Sequence, residues 1–171
     1  MVVVRRRTAP AEHDFEALFR EHAGAVFRTL YAFTAGRRPI AEEATAEAFA
    51  RAVAHADRIR DPVPWLYRTA FRIAVDELRR ERRTPPSDDE VAGDVTLGLG
   101  ELVAALRALS PNQRAAIVLR YEADLPVAEI ARRMGARPAT VRVHLHRGRN
   151  RLRELLGAEE TDERNERNRH A

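Results

Sequence analysis

Apolar residues recur along most of the chain at intervals of three and four, the repeat of helices that bury one side. Phe15, Leu18, Phe19, His22, Val26, Leu30 and Phe33 trace one such face, from an N-cap at Asp14 to about Thr34. Gly36-Arg37-Arg38-Pro39 breaks that helix. A second, from about Ile40 to His55, turns Ala41, Ala44, Ala48 and Ala52 one way, with Phe49 and Val53 beside them. Asp61-Pro62-Val63-Pro64 reads as a rigid loop, because each proline fixes its own torsion and restrains the residue before it. A third helix, Trp65 to about Arg83, buries Leu66, Ala70, Ile73 and Ala74. After it, Thr84 to Val95 carries two prolines, a glycine and four acids with little to bury, the composition of a linker.

Beyond the linker the pattern resumes with Leu99, Leu102, Leu106 and Leu109 at helical spacing. Ser110-Pro111-Asn112-Gln113 then gives a capping box that opens a helix running to about Tyr121. Val127, Ile130, Ala131 and Met134 make the buried side of the next helix, and Gly135 supplies its left-handed end. A further helix opens at Pro138, with Val141, Leu145, Gly148, Leu152 and Leu155 in one narrow stripe. No strand pattern or internal repeat is present. The expected fold is all-α: two small helical domains, 13–83 and 97–156, joined by a flexible acidic linker at 84–96. Residues 1–12 and 157–171 are expected to be disordered tails.

Charge changes the picture most between Arg137 and Arg153, which holds six arginines and no acid. The outer side of that last helix shows Ala139, Val143, His146, Arg147 and Asn150, flanked by Arg142 and Arg149. One dry seam with an unbroken basic outer face suits the major groove of DNA, so 126–153 reads as a helix-turn-helix. In the first domain, Arg68, Arg72, Arg79 and Arg83 share a stripe with Trp65 at its N-terminal end. Such a stripe either holds phosphates while a ring stacks on an unpaired base, or is an ordinary arginine-rich surface with Trp65 anchoring the core. Glu42, Glu43 and Glu47 make an acidic surface that would repel phosphates and faces either solvent or a protein.

Composition excludes more than it assigns. The 171 residues have a net charge of only +4, with 30 basic residues, all arginine, against 26 acids. The absence of cysteine rules out disulfides, thiolate metal sites and cysteine nucleophiles. His144 and His146 are two apart on a helix, so they point about 200° apart and cannot share a metal. No paired carboxylates, phosphate-binding glycine loop or nucleophile motif appears. The start lacks the apolar core of a signal peptide, and no apolar run reaches the roughly 18–20 residues that cross a bilayer. The reading is of a soluble, cytoplasmic, non-enzymatic protein with no cofactor, metal, membrane or small-molecule substrate. A free-standing helix-turn-helix regulator is the alternative, though such proteins dimerise to read paired half-sites and no dimer helix is evident.

Residues 14–83 and 97–156 together resemble one family, the bacterial extracytoplasmic-function (ECF) sigma factors of the minimal two-domain type. The segments DFEALFREHAGAVFRTLYAF, IAEEATAEAFARAVAH and PWLYRTAFRIAVDELRRERR are similar to sigma domain 2. Residues 109–156, from Leu109 to Leu156, are similar to sigma domain 4. The resemblance implies that Glu42, Glu43, Glu47 and Phe49 dock on the clamp helices of the β′ subunit of core RNA polymerase, with the β flap as a second contact. It implies that Arg60, Trp65, Arg68, Phe71, Arg72, Arg79 and Arg83 recognise and open the −10 element. Thr140, Arg142, Val143, His146, Arg147 and Arg149 would read the −35 element. An anti-sigma factor is a further implied partner. The chain departs from the family at Arg72, where asparagine is frequent, and at Pro126, which replaces a frequent serine cap. It departs again at Val143 and His144, positions that are often polar or basic.

Overall fold

The computed structural model describes residues 15–83 and 99–169, with side chains through Gly157. The expected Asp14 cap, the N-terminal tail at 1–12 and the linker at 84–96 lie outside the described residues. Within them the secondary structure is helical throughout. The first unit holds α1 (Phe15–Phe33), α2 (Arg38–Ala54), a single 3-10 turn at Ala56–Arg58 and α3 (Pro62–Glu81). The second holds α4 (Leu99–Arg107), α5 (Pro111–Tyr121), α6 (Val127–Met134) and α7 (Pro138–Arg169).

Small residues set the geometry of the first unit. Ala41, Ala44, Ala48 and Ala52 are all fully buried, so α2 lies close against both α1 and α3. Leu30, Phe33, Leu66 and Tyr67 fill the space around that alanine seam, each contributing about 1.5–3 kcal/mol of apolar burial. The turn between α1 and α2 uses two consecutive left-handed residues, Ala35 (φ 55°) and Gly36 (φ 86°). α3 begins at Pro62, inside the loop expected at Asp61–Pro64 and three residues before the expected start at Trp65. Both prolines sit in its first turn, where a missing N–H costs no helical hydrogen bond, and Asp61 is the residue before it.

Two aromatic positions depart from the sequence reading of α1 and α2. Phe19 is 53% exposed rather than buried, whereas Phe15 and Leu18 of the same helix pack against the core. Its ring meets the Phe49 ring edge to face, 5.0 Å between centroids. Phe49 itself is 5% exposed and belongs to the core.

In the second unit, the six residues from Arg114 to Leu119 are all buried, so α5 is enclosed on every side. It is capped as its sequence requires. The Gln113 amide donates to Ser110 Oγ at 3.4 Å, and the Ser110 amide donates to Gln113 Oε1 at 3.2 Å. Ser110→Ala removes one of this pair and should cost about 1 kcal/mol of stability in denaturant titration. α7 continues to Arg169, past Gly157, where a disordered tail was expected. Glutamate and arginine are strong helix formers, and extending an existing helix avoids the nucleation step.

The units are packed together. Leu109, Ala115 and Leu119 of the second share a hydrophobic core with Leu30, Phe33 and Phe71 of the first. α5 touches α1, and α6 touches α3.

Candidate nucleic-acid interface

The turn that aims α7 depends on Gly135. It ends α6 with φ 64° and ψ 35°, and its amide N–H reaches the Ala131 and Arg132 carbonyls. A Cβ there would also lie 2.9 Å from Arg68 Cδ, so a side chain would both strain the backbone and displace the Arg68 chain. From this turn α7 presents Val141 and Leu145 to the core, at 0% and 5% exposure, with Gly148 buried in the same seam. Gly148 lets α7 approach α5 closely.

The opposite face is open. Thr140, Arg142, Val143, His146, Arg147 and Arg149 are all exposed, as the sequence pattern placed them. Arg142, Arg147 and Arg149 make no ion pair or side-chain hydrogen bond with any described residue. Further along, Arg151 pairs with Glu154 at 3.1 Å, and Arg153 donates to Asn150 Oδ1 at 2.8 Å. His146 Nε2 lies 3.2 Å from Asn150 Nδ2, which fixes its ring against the helix. The first twelve residues of α7, Pro138 to Arg149, therefore offer three uncommitted guanidinium groups and one exposed apolar side chain, Val143, to whatever docks there. Cations on a helix backed by a rigid seam can form charge-assisted bonds to phosphates or to base edges.

The arginine stripe on α3 is more encumbered. Arg60, Arg68, Arg72, Arg79 and Arg83 are exposed and Trp65 is half-buried. Arg79 pairs with Asp76 at 3.6 Å, and Arg68 Nη1 donates to the Arg132 carbonyl at 3.2 Å. Phe71, expected among the contact residues, is only 8% exposed. Its ring sits edge-on to Phe33, 4.9 Å between centroids, so it is a core side chain in this arrangement. Between α3 and the second unit lies a cleft of about 750 Å³ lined by Trp65, Arg68, Arg72, Arg79, Asn112 and Arg133.

The acidic face of α2 is partly neutralised. Arg38 holds Glu42 at 2.9 Å and Arg51 holds Glu47 at 2.7 Å, both four residues apart on the helix. The sequence reading began the helix at Ile40 and so left Arg38 off it. Glu43 is exposed and has no ion pair among the described residues. It lines a groove of about 410 Å³ between α2 and α3, with Glu47, Arg51, Arg72, Asp76 and Glu77. Phe49, named with these glutamates from the sequence, faces the core beneath them.

Sequence reasoning missed the residues that join the two units. Arg114 is 3% exposed. It donates through Nη1 to the Phe33 carbonyl at 3.2 Å, and through Nη2 to the Arg107 and Leu109 carbonyls at 2.9 and 3.2 Å. Its guanidinium carbon lies 5.5 Å from the centre of the Phe33 ring. Burial, reinforced by Arg82, Arg37 and Arg107, lowers its pKa to about 10, which still leaves it a cation at neutral pH. Arg132 pairs with Asp61, and that bond together with Glu129 raises its pKa. The one available signal was an arginine at the head of the apolar run Ala115 to Leu119. No group of three or more metal-ligating side chains occurs among the described residues, and no described helix is long and apolar enough to cross a membrane.

Comparison with known proteins places both units. Residues 18–84 match the family model of sigma-70 region 2, and residues 99–152 match that of sigma-70 region 4. The ECF RNA polymerase sigma factor SigE of Mycolicibacterium smegmatis is 31% identical over 160 residues, covering 84% of this chain. The chain spans only 62% of the length of that relative. The ECF RNA polymerase sigma factor SigM of Mycobacterium tuberculosis is 32% identical over 154 residues, covering 85% of this chain and 78% of SigM. Among solved structures, the sigma factor RpoE of Bartonella quintana, in complex with the anti-sigma factor NepR, shares the fold. Its TM-score is 0.65 at 22% identity, covering 84% of this chain and 97% of that one.

Proposed function

As the chain belongs to the ECF RNA polymerase sigma factors, we propose that it binds core RNA polymerase and directs it to specific promoters. The observation that carries this reading is the face of α7, where three unpaired arginines and Val143 stand opposite a buried seam. Thr140, Arg142, Val143, His146, Arg147 and Arg149 read the −35 element. A guanidinium bidentate to guanine supplies about 1–3 kcal/mol of discrimination, and Val143 suits a thymine methyl. Arg60, Trp65, Arg68, Arg72, Arg79 and Arg83 take the −10 element, where extruding a base costs a few kcal/mol that stacking and backbone contacts must offset.

Glu43, with Glu42 and Glu47, docks on the β′ clamp helices, and the second unit meets the β flap. Catalysis stays with the polymerase; this chain supplies address and strand opening, and works in the cytoplasm with it. An anti-sigma factor belongs to the proposal as well, in keeping with the RpoE relative solved with NepR.

Arg147→Ala tests the division of labour. It should lower run-off transcription from a cognate promoter about tenfold, the equivalent of one good base contact. Affinity for core polymerase, read by fluorescence anisotropy, should be unchanged. Loss of polymerase binding in this variant would contradict the assignment of α7.

A further inference from the structure

His146, Asn150 and Arg153 follow one another at successive turns of α7, and their side chains are linked by hydrogen bonds. Arg153 Nη1 donates to Asn150 Oδ1 at 2.8 Å, and Asn150 Nδ2 lies 3.2 Å from His146 Nε2. Spacings of four and three residues keep the three groups on one face. His146 and Arg153 are exposed and Asn150 is half-buried.

The chemistry of these groups leaves one arrangement of protons. A guanidinium carries five N–H donors and no acceptor, so it takes the carbonyl end of the Asn150 amide. The NH2 end is thereby turned toward His146. That group only donates, so Nε2 is the bare, accepting nitrogen of the ring. The proton of the neutral imidazole then sits on Nδ1, because the bond made by one ring nitrogen sets the state of the other. An imidazole free in water favours the opposite tautomer, with its proton on Nε2. The bonded chain therefore reverses the ordinary state. Its head is a cation, and charge-assisted bonds are about twice as strong as neutral ones and polarise the bond that follows. Arg151, by contrast, spends its charge on Glu154 at 3.1 Å. Nδ1 of His146 has no partner among the described residues.

We propose that Arg153 and Asn150 are positioning residues that hold His146 as its Nδ1–H tautomer, which makes the ring a hydrogen-bond donor to the −35 element. The base-reading consequence rests on assigning α7 to that element; the tautomer does not. In the major groove a donor meets purine N7, guanine O6 or thymine O4, and is turned away by the amino group of cytosine. His146 thus discriminates against cytosine on the strand it faces. The discrimination is set by two residues that need touch no base.

The tautomer is read by long-range 1H–15N NMR of the full chain at about pH 8.5, above the ordinary imidazole pKa of about 6.5. Among the six histidines, the His146 pattern is the one that H146A removes. A protonated Nδ1 and a bare Nε2 should predominate. Asn150→Asp is nearly isosteric but only accepts, so it should draw the proton to Nε2 and invert the pattern. Arg153→Met frees the amide to turn and should shift the ratio several-fold toward the Nε2–H form. Arg151→Met loses the same charge two residues away and should leave the pattern unchanged. A proton mainly on Nε2 in the unaltered chain overturns the proposal, as does a pattern indifferent to Asn150→Asp and Arg153→Met.

Run-off transcription with core polymerase gives the second readout, with each base in turn at every position of the −35 box of a mapped start site. At the position His146 reads, guanine should exceed cytosine about fivefold with the unaltered chain, the low end of a base contact. Asn150→Asp should erase or reverse that preference at this position alone, and Arg153→Met should reduce it. Arg151→Met should change no single position, since loss of a cation alone acts alike on all sequences. An inverted tautomer that moves no base preference overturns the reading role. A chain that programs no start site refutes the promoter assignment instead, and the NMR pattern then decides the tautomer by itself.

Discussion

Gly148→Leu is expected to lower the thermal midpoint of the chain by roughly 4–8 °C, equivalent to about 2 kcal/mol. A Cβ at this position would stand 2.9 Å from Ile117 Cγ1 and 3.3 Å from its Cδ1. Ile117 is 5% exposed and β-branched, so it has neither room nor rotamers with which to retreat. Replacing glycine within a helix gains up to about 1 kcal/mol of propensity, but forcing new atoms into a packed seam costs about 1–3 kcal/mol, with the longer leucine side chain at the upper end. The loss wins. Gly157→Leu is the control: a Cβ there meets nothing within 4 Å, and the midpoint should hold or rise slightly. The measurement is a circular-dichroism melt of the full chain.

Reversing Glu42, Glu43 and Glu47 together to lysine should weaken binding to core polymerase about 100-fold, close to 2.7 kcal/mol. Arg38 and Arg51 already hold Glu42 and Glu47, so Glu43→Lys alone should account for much of the effect. Each of the two helix pairs is lost and replaced by a like-charge pair, at about 0.2–0.5 kcal/mol for each change, so the total stays near 1–2 kcal/mol and the variant remains folded. Duplex −35 binding by the second unit should not change. Equal polymerase affinity in the triple variant would remove α2 from the polymerase interface.

What could be read from the sequence was whatever repeats at short range. The seam Val141, Leu145 and Gly148 and the basic face opposite it were legible because helix period alone separates them. The Ser110–Gln113 box was legible because all its partners lie within one turn. The start of α3 was misjudged because prolines signal a break and a first helical turn alike; which applies depends on whether the following residues stay helical. Phe49 and Phe71 were assigned by family resemblance to contact surfaces, yet their rings face Phe19 and Phe33. An aromatic on an amphipathic helix does not announce which side its neighbours will cover. The continuation of α7 past Gly157 carries no apolar stripe, and periodicity cannot detect a helix without one.

Least legible of all were Arg114, Arg107, Arg132 and Asp61. Arg132 and Asp61 are 71 residues apart, and Arg114 and Phe33 are 81 apart. No spacing rule connects positions at that distance. An arginine at the head of an apolar run says only that something polar must meet it if it is buried.

The most direct test is run-off transcription over fragments of the source genome, using core polymerase with and without this chain and mapping the 5′ ends of the products. The account predicts discrete new start sites that share two upstream boxes and that weaken with Arg147→Ala. Identical products with and without the chain would contradict it, as would tight binding to a symmetric operator in the absence of polymerase.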